Sequence, residues 1–206
     1  MPVSRRSLLG FVAAPLFLPA FAQAATVDPK AERSLGRADA PVVVTEFFSL
    51  TCTHCATFSA ETFPQVKSEL IDTGKLRYVF YDFPLDQVAL MAAMVARSLP
   101  AERYEPFAAA LLASQDRWAF ARGVNSTEEL AKMAALAGMP RDAFNKVIAD
   151  TDLRAWVAQH EDDAQKQFGI DATPTFLFTG KGAQNVRVEG EVAFDKFAQA
   201  VAKAAG

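Results

Sequence analysis

The sequence predicts an α/β domain interrupted by a large helical insertion, and three observations predict it. Strand patterns lie toward both ends of the chain, at 42–48, 75–83, 175–179 and 184–189. Between the second and third of these, roughly 80 residues carry only helical patterning, too many for a loop and suited to an inserted lobe. The first strand runs into a helix that opens on the chain's only two cysteines, Cys52 and Cys55. With 206 residues, 51% of them hydrophobic, one well-buried core is within reach and two domains are not required.

Charged residues make up 22% of the chain and the net charge is -3, so no basic field points to nucleic acid. The opening residues read as an export signal: Ser4-Arg5-Arg6-Ser7, an apolar run Leu8 to Phe21 broken by Pro15 and Pro19, then Ala22-Gln23-Ala24, with no acid before Asp28. That run is shorter than the roughly 20 apolar residues a membrane span needs. Residues 1–24 are therefore set apart from the fold as a signal peptide. Their removal takes away Arg5 and Arg6 and no acid, so -3 becomes -5. Arg5-Arg6 before Ser7-Leu8-Leu9 suits a twin-arginine address as well as an ordinary secretory signal, and the export route stays open between them. A mitochondrial presequence has the same basic, acid-free character. No cysteine follows the cleavage site to carry a lipid.

Residues 25–40 are a polar lead-in with one short edge strand near Ala31–Leu35. Val42 to Phe48 is the apolar run of a central strand, interrupted by Thr45 and Glu46. A helix follows from Cys52 or Thr53 to about Ile71, with Phe58, Phe63, Val66 and Leu70 inward. Pro64 must bend or restart it, Thr62 is placed to cap the second piece, and Gly74 closes it. Lys75 to Phe83 alternates as the next strand, and the pair forms a right-handed parallel crossover. Helices are expected at 87–99, 102–114, 127–137, 141–149 and 153–168, bounded by Pro100, a Ser126-to-Glu129 capping box, Gly138 with Pro140, and Gly169. Thr175–Thr179 and Gln184–Glu189 flank Gly180-Lys181-Gly182 as a hairpin, and a last amphipathic helix carries Phe194, Phe197 and Val201 on one face. The sheet part thus spans about 31–85 and 169–206, and the insertion about 86–168.

A disulfide between Cys52 and Cys55 closes almost no loop and stabilises little as a staple, so the pair points to chemistry. At a helix N-terminus unsatisfied amides and the dipole favour a thiolate, which makes Cys52 the exposed nucleophile. Cys55, one turn in, faces the core as the resolving thiol. His54 lies between them, and an imidazolium there further favours the Cys52 thiolate. A stabilised thiolate stabilises the reduced protein and makes the disulfide a stronger oxidant. Zinc would need about four ligands where only His54 and His160 remain, and a c-type haem needs histidine where Ala56 stands, so no metal is expected.

Glu46 in an apolar strand costs several kcal/mol unless protonated, paired or hydrated. An edge position facing water is one answer, and Lys67 or Lys75 as partner is another. Pro174 at a strand start is an ordinary trans-proline by base rate. His160 reads as a solvated surface histidine, Trp118 and Trp156 as packing of the helical lobe, and Met91 and Met94 as core.

The order strand, helix, strand, helical insertion, hairpin, helix, with CxxC where the first strand meets the first helix, is that of the thioredoxin fold with a large insert. Over nearly all of residues 40–203 the chain resembles the DsbA-like thiol-disulfide oxidoreductases of the bacterial periplasm. The matching features are Glu46-Phe47-Phe48-Ser49, Cys52-Thr53-His54-Cys55, the helical insert, and Ala172-Thr173-Pro174-Thr175 at the hairpin. The resemblance implies a periplasmic monomer that donates a Cys52-Cys55 disulfide to reduced exported proteins, needs no other cofactor, and is reoxidised by a membrane quinone-linked thiol oxidase. It implies that Glu46 is a buried acid relaying protons to Cys55. It also implies a cis Pro174 facing the cysteines, with Thr53 and Thr173 as substrate-contacting positions and the Thr173 backbone free to pair with substrate. Many family members carry valine where Thr173 stands, and threonine also occurs in isomerase-type relatives. A disulfide isomerase or reductase is therefore the alternative enzyme, although the lead-in 25–40 is short for the N-terminal dimerising region of such isomerases. A thioredoxin-fold chaperone or copper-binding module is the alternative outside catalysis.

Overall fold

The computed structural model describes residues 27–182 and 185–206. The export signal expected at 1–24, and Gln184 at the head of the last strand, lie outside the described residues. Strands β1 (Arg33–Leu35), β2 (Val42–Phe48), β3 (Leu76–Asp82), β4 (Thr175–Gly180) and β5 (Val186–Glu189) form one sheet in the order β1-β3-β2-β4-β5. Only β2 and β3 run parallel; β1, β4 and β5 pair antiparallel with their neighbours. Around the sheet stand α1 (Thr53–Glu61), α2 (Phe63–Val66), α3 (Gln87–Arg97), α4 (Ala101–Leu112), α5 (Gln115–Trp118), α6 (Ser126–Leu136), α7 (Arg141–Ala149), α8 (Thr151–Phe168) and α9 (Phe194–Ala205). The helices α3 to α8 fill the interval between β3 and β4, which is the expected insertion.

β2 is hydrogen-bonded along both edges and covered on both faces, which is why its sequence reads as a nearly unbroken apolar run. Val44, Glu46 and Phe48 share one face with Tyr78 and Phe80 of β3 and Phe176 and Phe178 of β4. Phe58 of α1, Phe63 of α2 and Phe197 of α9 close over it, with ring centroids 4.6 Å apart for Phe58–Phe176 and 5.0 Å for Phe178–Phe197. Phe47 and Tyr81 point to the opposite face, where Ala164 of α8 and Ile170 cover the end of the strands. The buried apolar cluster runs without a break from β2 into the lobe, through Leu111, Trp118, Leu130 and Phe144.

The first helix is three pieces. Pro64 sits in the first turn of α2, where its missing N–H leaves no bond unmade, and Lys67–Ile71 winds as a π-turn in which the Asp72 amide reaches back to the Lys67 carbonyl at 2.8 Å. Thr62 does not cap α2 through its side chain as expected. Its hydroxyl donates to the Val192 carbonyl at 2.8 Å and ties the break to the loop before α9. The capping box expected at Ser126 is also displaced: Asn125 caps α6 by accepting from the Thr127 and Glu128 amides, and Ser126 is already helical. The short helix α5 carried no sequence signal.

The polar lead-in is held by a buried network that the sequence did not announce. Arg97 of α3 pairs with Asp82 at the end of β3, both side chains 3% exposed, and the Tyr104 hydroxyl donates to Asp82 at 3.0 Å. Arg97 also donates to the carbonyls of Pro29 and Ala31 at 3.1 Å, and Arg33 donates to the carbonyl of Arg97. The Arg97 guanidinium lies 4.7 Å from the Trp156 ring, and His160 packs on that ring and on Tyr81. His160 is therefore half-buried and not the solvated residue expected, and desolvation holds its pKa below the ordinary value.

Candidate active site

The turn that delivers Cys52 is fixed from two sides. The Thr51 hydroxyl donates to Asp86 at 2.7 Å, and Asp86 in turn caps α3 by accepting the Ala89 amide. From α5, the buried Gln115 donates to the carbonyls of Leu50 and Cys52 at 2.9 and 3.0 Å. Cys52 is itself the N-cap of α1: its Sγ accepts the Cys55 amide at 3.1 Å, taking the place of a capping oxygen. Both thiols are free and lie 2.8 Å apart.

Opposite stands the Thr173-Pro174 bond, which is cis and overturns the trans base rate. The Thr175 hydroxyl holds the loop by donating to the Ala172 carbonyl at 2.8 Å, and the Gly190 amide donates to the Pro174 carbonyl at the same distance. The Thr173 carbonyl accepts the Cys52 thiol at 3.4 Å. This loop covers the sulfur, so Cys52 is only 6% exposed where an exposed nucleophile was expected. Thr53, the other position expected to meet substrate, is exposed at the head of α1. The Thr173 hydroxyl is buried without a partner.

The two thiols differ sharply in acidity. The Cys55 thiol donating to its sulfur pulls Cys52 down from 9.0 to about 6 against the opposing effect of burial, and Thr173 and the amides of Cys55 and His54 act in the same direction. Cys55, with no exposed surface, is pushed well above its ordinary value, first by burial and then by the neighbouring sulfur and Glu46. His54 turns outward, its side chain 68% exposed and its Nδ1 against Glu191 Oε2, a contact that raises its pKa.

Glu46 is 5% exposed at the middle of the sheet, which excludes the water-facing edge position. Neither lysine partners it: Lys67 pairs with Asp72 at 2.8 Å and Lys75 is exposed. The Tyr78 hydroxyl donates to its Oε2 at 2.8 Å. Burial lifts the carboxyl from 4.5 to about 8, with Tyr78 opposing and the Cys52 charge adding to the rise. The structure thus gathers Cys52, Cys55, Glu46, Thr173 and Pro174, keeps His54 at the rim, and adds Tyr78, Gln115 and Glu191, which sequence reasoning missed. For Tyr78 a signal existed, since the alternation Leu76, Tyr78, Phe80 puts it on one face of its strand. For Gln115 and Glu191 there was none.

Residues 28–201 match a protein-family model described as Thioredoxin. Alpha-DsbA1 of Wolbachia pipientis is similar in structure with a TM-score of 0.78 at 33% identity, over 86% of this chain and 92% of that one. DsbA of Chlamydia trachomatis shares the fold, with a TM-score of 0.70 at 20% identity, over 85% of this chain and 94% of that one. A provisionally named protein-disulfide oxidoreductase of Rickettsia prowazekii is 29% identical over 75% of this chain, which spans 57% of that relative's length. The chain belongs to the thioredoxin family, as a DsbA-like member with its helical lobe set between β3 and β4.

Proposed function

We propose that the protein is a periplasmic thiol-disulfide oxidoreductase that donates a Cys52-Cys55 disulfide to reduced exported proteins. The observation that carries this reading is the split in acidity across one helical turn, with Cys52 near 6 and Cys55 well above 9.0. A substrate thiolate attacks Cys52 Sγ, the Cys52-Cys55 bond breaks, and Cys55 leaves with the electron pair and takes a proton from Glu46. A second substrate thiolate then attacks the mixed disulfide and expels Cys52, a good leaving group because its thiolate is stabilised. The backbone of Thr173 beside the cis-proline offers an extended substrate segment a strand-like partner. Export is supported by the composition of residues 1–24, and among the described residues no helix is long and apolar enough to cross a membrane. In this reading the protein acts as a monomer, carries no cofactor beyond the disulfide, and is reoxidised by a membrane quinone-linked thiol oxidase.

Equilibration of the protein with a series of glutathione ratios tests the reading. A strongly oxidising potential, lost together with peptide oxidation in Cys52→Ser, supports it. A thioredoxin-like potential overturns it in favour of a reductase or isomerase, the second reading, which the threonine at 173 favours. Tight copper(I) binding without oxidase turnover would instead identify a carrier.

A further inference from the structure

Glu46 must exchange a proton with solvent in every cycle if it serves Cys55, yet it is buried and its Oε2 is occupied by Tyr78. Beside it lies a small, partly open cavity of about 20 Å³ whose polar lining is Glu46, Ser59 and Glu105, set among phenylalanine and alanine side chains. One water needs on the order of 10–15 Å³ by the same measure, so the cavity has room for one, with polar partners to orient it. A second crevice, of about 200 Å³, is lined by Glu32, Arg33, Ser34 and Tyr104 together with Glu105. Phe80 and Glu105 line both spaces, and of the two only Glu105 carries a proton.

We propose that Glu105 of α4 is the positioning residue through which Glu46 exchanges protons with solvent, by way of a single water in the cavity between them. The proposal rests on the reading of Glu46 as the proton partner of Cys55. When the disulfide opens, Cys55 leaves as thiolate and takes the Glu46 proton. The Glu46 carboxylate is then reprotonated through the water by Glu105, which takes a proton from solvent in the crevice. When the disulfide closes the transfers run in reverse. The groups facing Glu105 are Glu46 and Ser59 across the cavity, Tyr104 on its own helix, Glu32 and Arg33 at the crevice, and Lys67 of the π-turn. Burial lifts the Glu105 carboxyl while Lys67 opposes it, so the group keeps access to both protonation states nearer neutrality than an ordinary glutamate does.

The test uses the reduced protein and oxidised glutathione. Cys52 attacks the glutathione disulfide and one glutathione leaves; Cys55 then closes on Cys52 and expels the second. The closing rate is read by quenched-flow mass spectrometry across neutral pH. Glu105→Gln is expected to slow closure about tenfold, the scale of a lost proton-transfer group, while the Cys52 thiolate midpoint and the reduction potential stay at wild-type values. Glu105→Asp is expected to restore most of the rate. If Glu105→Gln closes at the wild-type rate while Glu46→Gln is slow, Glu46 exchanges by another route and the proposal falls alone. If both close at the wild-type rate, the Glu46 reading falls with it.

Discussion

Tyr78 donates its hydroxyl to Glu46 in the middle of the sheet core, so the one carboxyl buried beneath the two cysteines is held by a neutral partner and not by a cation. Its pKa of about 8 therefore reflects mainly burial. Below the ordinary value of 4.5 the group is protonated in both folded and unfolded chains. Above it the unfolded chain releases a proton that the fold retains, so stability falls until the pH passes about 8. By pH 7 the loss is on the order of 3 kcal/mol. Glu46→Gln keeps an acceptor for Tyr78 but buries an amide that lacks partners, a cost of about 1–3 kcal/mol. It is expected to be equal to or more stable than the wild type at pH 7, and to lose the decline between mildly acidic and mildly alkaline pH. Denaturant melts across that range decide it, and a variant as steeply pH-dependent as the wild type would contradict the assignment.

Cys52 titrates in the opposite sense. Its folded value of about 6 lies below the ordinary 9.0, so the reduced fold gains stability in full above pH 9.0 and loses it as pH falls through about 6. Thiolate absorbance of the reduced protein should show one transition near pH 6, absent in Cys52→Ser. The stability of the reduced form relative to the oxidised form should rise with pH between those limits and then fall above 9.0, where the unfolded chain ionises Cys55 and the fold keeps its proton. A single midpoint near 9 would refute the stabilisation of this sulfur by the Cys55 thiol and the amides at the helix start.

The elements were legible where local chemistry dictates them. The run Val42–Phe48 and the alternation Leu76, Tyr78, Phe80 were enough to find β2 and β3, and Pro140 opens α7 as its sequence suggests. Cys52 and Cys55 stood out because two cysteines at a helix start are a rare local pattern, whereas the cis form of Pro174 was legible only through the family resemblance, since a proline at a strand start is ordinary. Side-chain partners were not legible, because they depend on docking: Tyr78, Gln115 and Glu191 reach Glu46, Cys52 and His54 from β3, α5 and the loop after β5. The polar neighbours of His160 suggested water, but Trp156 one turn earlier packs against it at 3.9 Å between ring centroids. Thr62 and Ser126 failed as caps for a different reason, since a hydroxyl takes whichever backbone group the tertiary structure brings nearest.

The Arg97–Asp82 pair makes the lead-in part of the fold. Arg97→Met leaves Asp82 buried with Tyr104 as its remaining donor, and loss of one member of a buried ion pair typically costs about 3–5 kcal/mol. Adding Asp82→Asn removes the orphaned charge and is expected to recover much of that loss. Chemical denaturation of the two single variants and the double variant measures the coupling, and strict additivity would show that the two side chains act independently.

Glu191 is the remaining lever on the site. It raises the His54 pKa first through their hydrogen bond and then through its charge, while a Cys52 thiolate adds to the rise. The stabilisation of the imidazolium is present below the ordinary value of 6.5 and is lost as pH rises through the higher folded value. Glu191→Gln should move the His54 midpoint back toward 6.5 in both redox states, read from its ring protons by NMR. The reduced wild type should titrate above the oxidised wild type, because only the reduced form carries the Cys52 thiolate. A His54 midpoint unchanged by Glu191→Gln, but still different between the two redox states, would mean that the sulfur alone sets the charge of this histidine and that Glu191 does not govern it.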